Sequence, residues 1–436
     1  MGGGLLQLVA YGAQDAYITG NPHITFWKVL FKRHTNFAVE AFRVNFTGMP
    51  TYGQRVVAIV NRNADLIWKT YVEVTLPATD GIADLEWTGG AQRRLGYLLL
   101  KQIEVEIGGQ IIDRQYGEWL YLWETLTANF DTAVKLDNMV GGNYSGGESS
   151  APTCQGRPNV LYVPLQFWFN RNPGLALPLI ALQYHEVRFN ITLEDTVNLV
   201  KGAGPSGAQL ATAAGKLPAL KDMALYIDYV YLDVEERRRF AQASHEYLIE
   251  QVQYSGEQTI TTSSGRIDLT LNHPVKELIW VFQDARFTDC SMPTIDPPVN
   301  FTQPFKYSDI VNRARLQLNG QDRFDERYGD YFWKVQPYQH HTGGAYSRLI
   351  DESGVVPKTA PNPINVYSFA ISPEEHQPSG TCNFSRIDTA TLVYDSISGA
   401  AGTFPGKLFP YNFRLYAVNY NIFRIMSGMG GLAYSN

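Results

Sequence analysis

Residues 102–110 read Gln102-Ile-Glu-Val-Glu-Ile-Gly-Gly-Gln110, and residues 313–321 read Arg313-Ala-Arg-Leu-Gln-Leu-Asn-Gly-Gln321. In the first stretch Ile103, Val105 and Ile107 alternate with Gln102, Glu104 and Glu106. In the second, Ala314, Leu316 and Leu318 alternate with Arg313, Arg315 and Gln317. A period of two puts the apolar set on one face of a β-strand. Each run ends on a pair, Gly108-Gly109 or Asn319-Gly320, suited to the positive φ of a tight hairpin turn. Gly109-Gln110 thus recurs as Gly320-Gln321, 211 positions later.

The repeat extends to both sides. Phe37-Ala-Val-Glu40 is echoed by Tyr247-Leu-Ile-Glu250 at an offset of 210, and Asp65-Leu-Ile-Trp68 by Glu277-Leu-Ile-Trp280 at 212. Tyr116-Gly117 returns as Tyr328-Gly329, again at 212. Single short matches arise by chance, but matches in one order at nearly one offset point to two tandem copies of a fold. Candidate strands in the first copy cover about 36–48, 54–61, 66–76, 101–107, 160–168, 175–182, 186–195 and 224–234. In the second they cover about 247–254, 266–271, 276–282, 312–318, 364–371, 379–386, 387–395 and 411–424. Eight antiparallel strands in two facing sheets is the jelly-roll count, although another eight-stranded sandwich or barrel would count the same. Insertions rich in Gly, Ser, Pro and Ala fall at about 77–92, 131–159, 196–222, 283–308 and 340–363. Loops this long inside a compact domain are usually functional or mobile.

The expected organisation is an arm over 1–35, a first domain over 36–235, a short connector over 236–244 and a second domain over 245–436. A chain of 436 residues has room for two cores of roughly 200 residues each. In the arm, Asn21-Pro22 is a helix-start pair, and Phe26, Trp27, Val29, Leu30 and Phe31 then mix with Lys28, Lys32 and Arg33. Such a helix packs under the first domain or a neighbour, or lies on a membrane surface.

Composition excludes several functions. Hydrophobic residues at 44% against 18% charged make the chain globular. The net charge of -6 argues against direct nucleic-acid binding, and the basic run Arg237-Arg238-Arg239 follows Glu235-Glu236. Cys154, Cys290 and Cys382 are too few and too scattered for a disulfide framework or a zinc site, and suit a reducing compartment. No apolar run is long enough to span a bilayer, no signal peptide opens the chain, and Leu6 breaks the myristoylation pattern after Gly2. No cofactor-binding motif is found: there is no phosphate loop, no HExxH after His245-Glu246, and no strand–turn–helix around Gly428-Met-Gly-Gly431.

Candidate chemistry is thin. Glu104 and Glu106 share a strand face about 7 Å apart, a separation that would suit an inverting glycosidase, but they also describe a solvated strand face. His340-His341 could touch a metal, but the expected reading is an exposed loop tip. No catalytic or metal-binding residue is assigned. Glycosylation sequons stand at Asn45, Asn143, Asn190, Asn300 and Asn383; Asn143 and Asn300 lie in long loops that would tolerate a glycan.

Longer stretches carry a family likeness. Leu8-Val-Ala-Tyr-Gly-Ala-Gln-Asp-Ala-Tyr-Ile-Thr-Gly-Asn-Pro22, Pro173-Gly-Leu-Ala-Leu-Pro-Leu-Ile-Ala-Leu-Gln-Tyr-His-Glu-Val187 and His245-Glu-Tyr-Leu-Ile-Glu-Gln251 are three of them. Leu316-Gln-Leu-Asn-Gly-Gln-Asp-Arg-Phe324, Gln377-Pro-Ser-Gly-Thr-Cys-Asn-Phe-Ser-Arg-Ile-Asp388 and Arg424-Ile-Met-Ser-Gly-Met-Gly-Gly-Leu-Ala-Tyr434 continue it. The sequence resembles the major capsid proteins of nucleocytoplasmic large DNA viruses, above all those of large algal viruses. The resemblance implies an all-β double jelly roll with a short N-terminal helical arm, a homotrimer of pseudo-hexagonal outline, and an icosahedral shell over an internal membrane. It also implies contacts with neighbouring trimers, penton and minor capsid proteins, location in the virion, and assembly in the host cytoplasm. The arm then lies near the base, with Trp27, Lys28, Phe31 and Lys32 as candidate inner-face contacts to a partner or to lipid headgroups. The rival reading is a carbohydrate-binding jelly-roll protein of the virion surface, with Tyr144, Phe287, Phe301 and Tyr346 stacking on sugars.

Overall fold

The computed structural model describes residues 3–24, 26, 29, 31–77, 85–87, 94–141, 159–202, 215, 217–285, 305–344, 362–396 and 410–434. Residues 1–37 and 38–436 are two compact units. In the first, helices α1 (Gly3–Val9) and α2 (Ala16–Thr19) bury none of their side chains. The helix expected to begin at Asn21-Pro22 does not form among the described residues. Asn21 takes a left-handed φ of 51°, whereas a helix N-cap needs an extended backbone.

The second unit is built from strands in the order the repeat demands. In its first half these are β1 (Phe37–Asn45), β2 (Arg55–Ile59), β3 (Leu66–Leu76), β4 (Leu100–Ile107), β5 (Gln110–Tyr116), β6 (Asn159–Pro164), β7 (Val187–Leu193) and β8 (Asp222–Leu232). In its second half they are β9 (His245–Ile260), β10 (Ser264–Asp268), β11 (Pro274–Asp284), β12 (Val311–Leu318), β13 (Gln321–Asp322), β14 (Asn365–Ser368), β15 (Ala390–Ser396) and β16 (Tyr411–Met426). The first half pairs β1-β8-β3-β6 in one sheet and β2-β7-β4-β5 in another. The second half pairs β9-β16-β11-β14 and β10-β15-β12-β13. The two orders are the same, position for position, and the pairing is antiparallel through β8-β3-β6, β2-β7-β4-β5, β9-β16-β11-β14 and β10-β15-β12-β13. This is the jelly-roll arrangement twice over, and it removes the sandwich alternatives.

Two details of the expected strands change. Segments 175–182 and 379–386 contribute only the short pairings of Leu177–Pro178 and Cys382–Asn383; Pro178 and the turn after it interrupt the first, and a 3-10 turn at Phe384–Arg386 the second. The ladder positions they were expected to fill belong instead to β5 and β13, across the hairpins. Those hairpins are as read: φ is 61° and 86° at Gly108 and Gly109, and 49° and 77° at Asn319 and Gly320. The connector is the helix α5 (Val234–Gln242), and α3 (Gly117–Thr127) with α4 (Phe130–Val140) follow β5. Arg237 of α5 reaches back to Asp65 at 2.9 Å, so its charge is answered by the first half as well as by its own acidic turn.

The second half has its own core between its sheets, including Leu278, Trp280, Phe282, Leu316, Leu392, Phe413 and Leu415. The alternate residues Ile279, Val281, Tyr416 and Val418 belong to the other core, the one centred on the first half. Strands β11 and β16 are therefore buried on both faces, which explains the nearly unbroken apolar run Leu278-Ile-Trp-Val-Phe282.

Candidate functional site: the seam between the two halves

The features singled out in sequence do not gather into a pocket. Glu104 is buried, not solvated: it accepts from Gln102 at 2.7 Å, Arg114 at 2.8 Å and Arg55 at 3.1 Å. Glu106 accepts from Asn190 at 2.9 Å and lies 3.9 Å from Arg55 and Arg188. A carboxylate pair engaged by Arg55, Arg114 and Arg188 is part of an ion network on the strand face, not an acid and a base facing an open cleft. Asn190 is itself buried, so its sequon is inaccessible, whereas Asn45 and Asn383 are exposed. Asn143, Asn300, Tyr144, Phe287, Phe301, Tyr346, Trp27, Lys28, Cys154 and Cys290 lie outside the described residues. Phe31 and Lys32 are exposed, and Cys382 is a free thiol. Among the described residues no cluster could hold a metal ion, and no helix is long and apolar enough to cross a membrane.

His341 reverses its expectation. It is no loop tip: its side chain is fully enclosed, with Nε2 3.0 Å from Glu277 and Nδ1 3.1 Å from Glu374. Its neighbour His340 meets the Ile371 carbonyl.

What the fold does bring together is a seam of side chains from opposite halves. Glu118, in the first turn of α3, accepts two hydrogen bonds of 2.7 Å from the Arg414 guanidinium on β16. The Tyr416 hydroxyl donates to it at 2.7 Å and the Tyr307 hydroxyl at 3.1 Å. Burial works against the Arg414 charge, but Glu118 outweighs it and the guanidinium pKa rises well above its ordinary value. Burial and the same carboxylate push both tyrosines far up. Glu257 meets the same guanidinium at 2.8 Å, and the bidentate Glu118–Arg414 geometry is the kind that offsets the desolvation of a buried pair.

Further along the seam the Val252 N–H donates to Asp113 at 3.1 Å, and Asn362 Nδ2 donates to the Tyr121 hydroxyl at 3.0 Å. Burial pushes the Asp113 carboxyl up to about 6, although the Val252 N–H and Gln115 bonds pull it back. Rings interleave: Tyr116 lies 4.9 Å from Tyr254, Tyr254 5.0 Å from Tyr416, and Tyr121 stacks on Phe305 at 4.5 Å. Glu250 closes a second ion cluster, with Arg171 of the first half at 2.8 Å and Lys276 at 2.7 Å. Burial would raise its carboxyl, but Arg171, His376 and Lys276 hold it down to about 2. In sequence only Tyr116 and Glu250 of these residues stand out, as members of the repeat, and none carries a role. Partners such as Glu118 and Arg414 stand 296 positions apart, and no local pattern reports such a pairing.

A buried, hydrogen-bonded seam of this kind offers a substrate no opening; it holds the two β units against each other.

Comparison with known proteins gives one consistent answer. Residues 25–233 match the family described as major capsid protein N-terminus, and residues 236–431 the large eukaryotic DNA virus major capsid protein family. The major capsid protein of Pyramimonas orientalis virus is 47% identical over 100% of both chains, and that of Phaeocystis pouchetii virus 42% over 100% of both. The crystal structure of PBCV-1 VP54, fitted into a reconstruction of the virophage Sputnik, has a TM-score of 0.75 at 35% identity. It covers 94% of this chain and 100% of that one.

Proposed function

Because the chain belongs to the large eukaryotic DNA virus major capsid proteins, and so is a structural component of the virion and not an enzyme, we propose that three copies form one capsomer of near-hexagonal outline. The observation that carries this reading is the repetition: two units of one strand order, fastened by a buried seam, so that three chains supply six similar wedges. Threefold symmetry closes unlike surfaces into a ring and stops growth there. Near-hexagonal outlines then pack edge to edge.

In this reading the arm spans 1–35, the jelly rolls 36–235 and 245–436, and the connector 236–244. The trimers meet neighbouring trimers, penton and minor capsid proteins, and assemble in the host cytoplasm over an internal membrane. Trp27, Lys28, Phe31 and Lys32 face that side and touch a partner or lipid headgroups, while Asn143 and Asn300 are the loop sites open to a glycan. A net charge of -6 speaks against direct contact with the genome.

The test is the native mass and negative-stain outline of the purified chain, beside a chain lacking residues 1–30. Both should run near three chain masses with a hexagonal outline, and only the full chain should support shell assembly. A monodisperse monomer of the full chain would sink the trimer. Normal shells from the truncated chain would remove the role of the arm.

A further inference from the structure

Two features of the sequence have no part in the seam as described: the glycine-rich run Gly428-Met-Gly-Gly431 and the pair Tyr184-His185. The fold brings them together. After Met426 the chain turns at Ser427 and Gly428, with φ of 53° and 79°, and returns as β17 (Met429–Leu432), antiparallel to Phe423–Met426. The first half has no such hairpin. Its equivalent strand, β8, ends at Leu232 and leads into the connector α5. The hairpin therefore stands outside the repeat.

Its position shows what it covers. On one side β16 pairs with β9 from Tyr411 to Ile425. On the other side β11 reaches only as far as Asn419, and β17 takes that edge over from Phe423 to Met426. Without β17 the end of β16 would present free N–H and C=O groups beside the apolar Phe423 and Ile425. That is the kind of edge to which another chain adds as a strand.

The hairpin is fastened in turn to the first half. The Tyr184 N–H donates to the Gly428 carbonyl at 3.0 Å, and the Leu432 N–H to Gln110 Oε1 at 3.4 Å. His185 Nδ1 lies 2.9 Å from the Gly430 carbonyl oxygen and 3.2 Å from the Gly430 nitrogen, so this ring nitrogen has a partner in either tautomer. Close approach explains the glycines. A Cβ on Gly428 would come within 2.7 Å of the Tyr184 ring, and one on Gly430 within 2.6 Å of the Leu182 side chain. The Glu118–Arg414 cluster stands at the other end of β16, roughly 40 Å away along the strand, and is buried. The hairpin lies near water: Met426 and Met429 are each 52% exposed, and Tyr184 75%.

We propose that residues 427–434 are a latch that opens by itself while the rest of the seam stays shut, and that when closed it keeps the end of β16 from pairing with a second copy of this chain. The occupant that fits the vacated edge is residues 427–434 of that copy, because Tyr184 and Leu182 leave room only for glycine at two positions two residues apart. Few bonds, partly exposed, hold the hairpin, and such segments open far below the free energy of global unfolding.

Hydrogen exchange followed by mass spectrometry tests the first part in the full chain. The peptide carrying Tyr184, bonded to the latch, should exchange at least about tenfold faster than the one carrying Val252, bonded to Asp113 in the seam. His185→Ala should speed the first by about another tenfold and leave the second unchanged, the size expected for one lost hydrogen bond to a backbone group. His185→Asn, which keeps a donor and an acceptor, should restore part of the protection. Equal protection of the two peptides in the wild type, or a His185→Ala variant that shifts both together, overturns the latch. The second part is read by sedimentation of a chain ending at Met426. It should form species heavier than the wild type's, and a synthetic peptide of residues 427–434 should bind it and suppress them. A folded truncated chain with the wild-type mass and no affinity for the peptide overturns the edge-guarding role. If the truncated chain fails to fold, the same sedimentation is done on His185→Ala, where a mass distribution identical to the wild type's at every concentration counts against that role.

Discussion

His341 holds its proton because two carboxylates face its two ring nitrogens inside the protein. Burial alone would favour neutral imidazole, but Glu277 and Glu374 outweigh it and push the pKa up to about 9. A pKa raised on folding contributes stability that is whole below the ordinary 6.5 and fades as pH climbs through 9. Glu250 acts in the opposite sense. Held down to about 2, it contributes fully above 4.5 and progressively less as pH falls toward 2. Asp113, pushed up to about 6, binds its proton more tightly when folded, so stability declines as pH rises from 3.8 through 6. The rise from Glu250 and the fall from Asp113 cancel between 3.8 and 4.5, so the three together put the stability maximum there, with the His341 loss following above 6.5. Thermal melts across this range should show it, with a steady loss from 6.5 to 9 that the His341→Gln variant largely lacks. That variant should also be less stable by on the order of 2–3 kcal/mol below pH 6.5. A wild-type melting temperature flat from 6.5 to 9 would show that His341 is not protonated in the fold.

At the scale of elements, the two Tyr-Gly pairs mark where a helical segment starts hard against a strand. A Cβ on Gly117 would meet the carbonyl oxygens of Tyr97 and Leu100, and one on Gly329 that of Val311, all far inside contact distance. Gly109, by contrast, has a left-handed φ of 86° but open space around it. Alanine at Gly117 or Gly329 should therefore cost more than alanine at Gly109, about 2–4 kcal/mol against about 1 kcal/mol in urea unfolding. Equal costs would mean that backbone conformation, and not close approach, explains the conserved spacing of the repeat. The same elements show why the fold was legible. Hairpin glycines and a period of two are local signals, and β4, β12 and their turns fell where both predicted them. Leu177-Pro-Leu-Ile180 has the apolar content of a strand but pairs for two residues only, since Pro178 and the turn after it end the ladder. Strand β5, Gln110-Ile-Ile-Asp-Arg-Gln-Tyr116, reads as polar because Asp113 faces the other half of the molecule instead of water. The seam was illegible for that reason: its acids look like surface until their distant partners are known.

For the molecule as a whole, the seam decides whether the chain behaves as two domains on a string or as one rigid wedge pair. The core centred on the first half runs without a break into Ile279, Val281, Tyr416 and Val418 of the second, so neither half can open without exposing the other. The wild type should accordingly unfold in urea as a single transition, with fluorescence and circular dichroism coincident. Replacing Glu118 by Ala leaves the Arg414 guanidinium buried without its main carboxylate, with Glu257 at 2.8 Å the remaining one. Breaking a buried pair from one side costs about 3–5 kcal/mol, far above the value of an exposed pair. Because the second half keeps a separate core of its own, the loss should fall on the seam and split the transition, the second half melting last. Removing both charges, Glu118→Gln with Arg414→Met, should recover part of the loss, since the charge then left without Arg414 is Glu257, which is half-exposed and stays hydrated. A Glu118→Ala variant that loses under about 1 kcal/mol and still melts in one step would mean that packing alone sets the angle between the jelly rolls. If instead the transition splits, the ion cluster is what makes the chain stiff enough to serve as two fixed sides of a hexagonal tile.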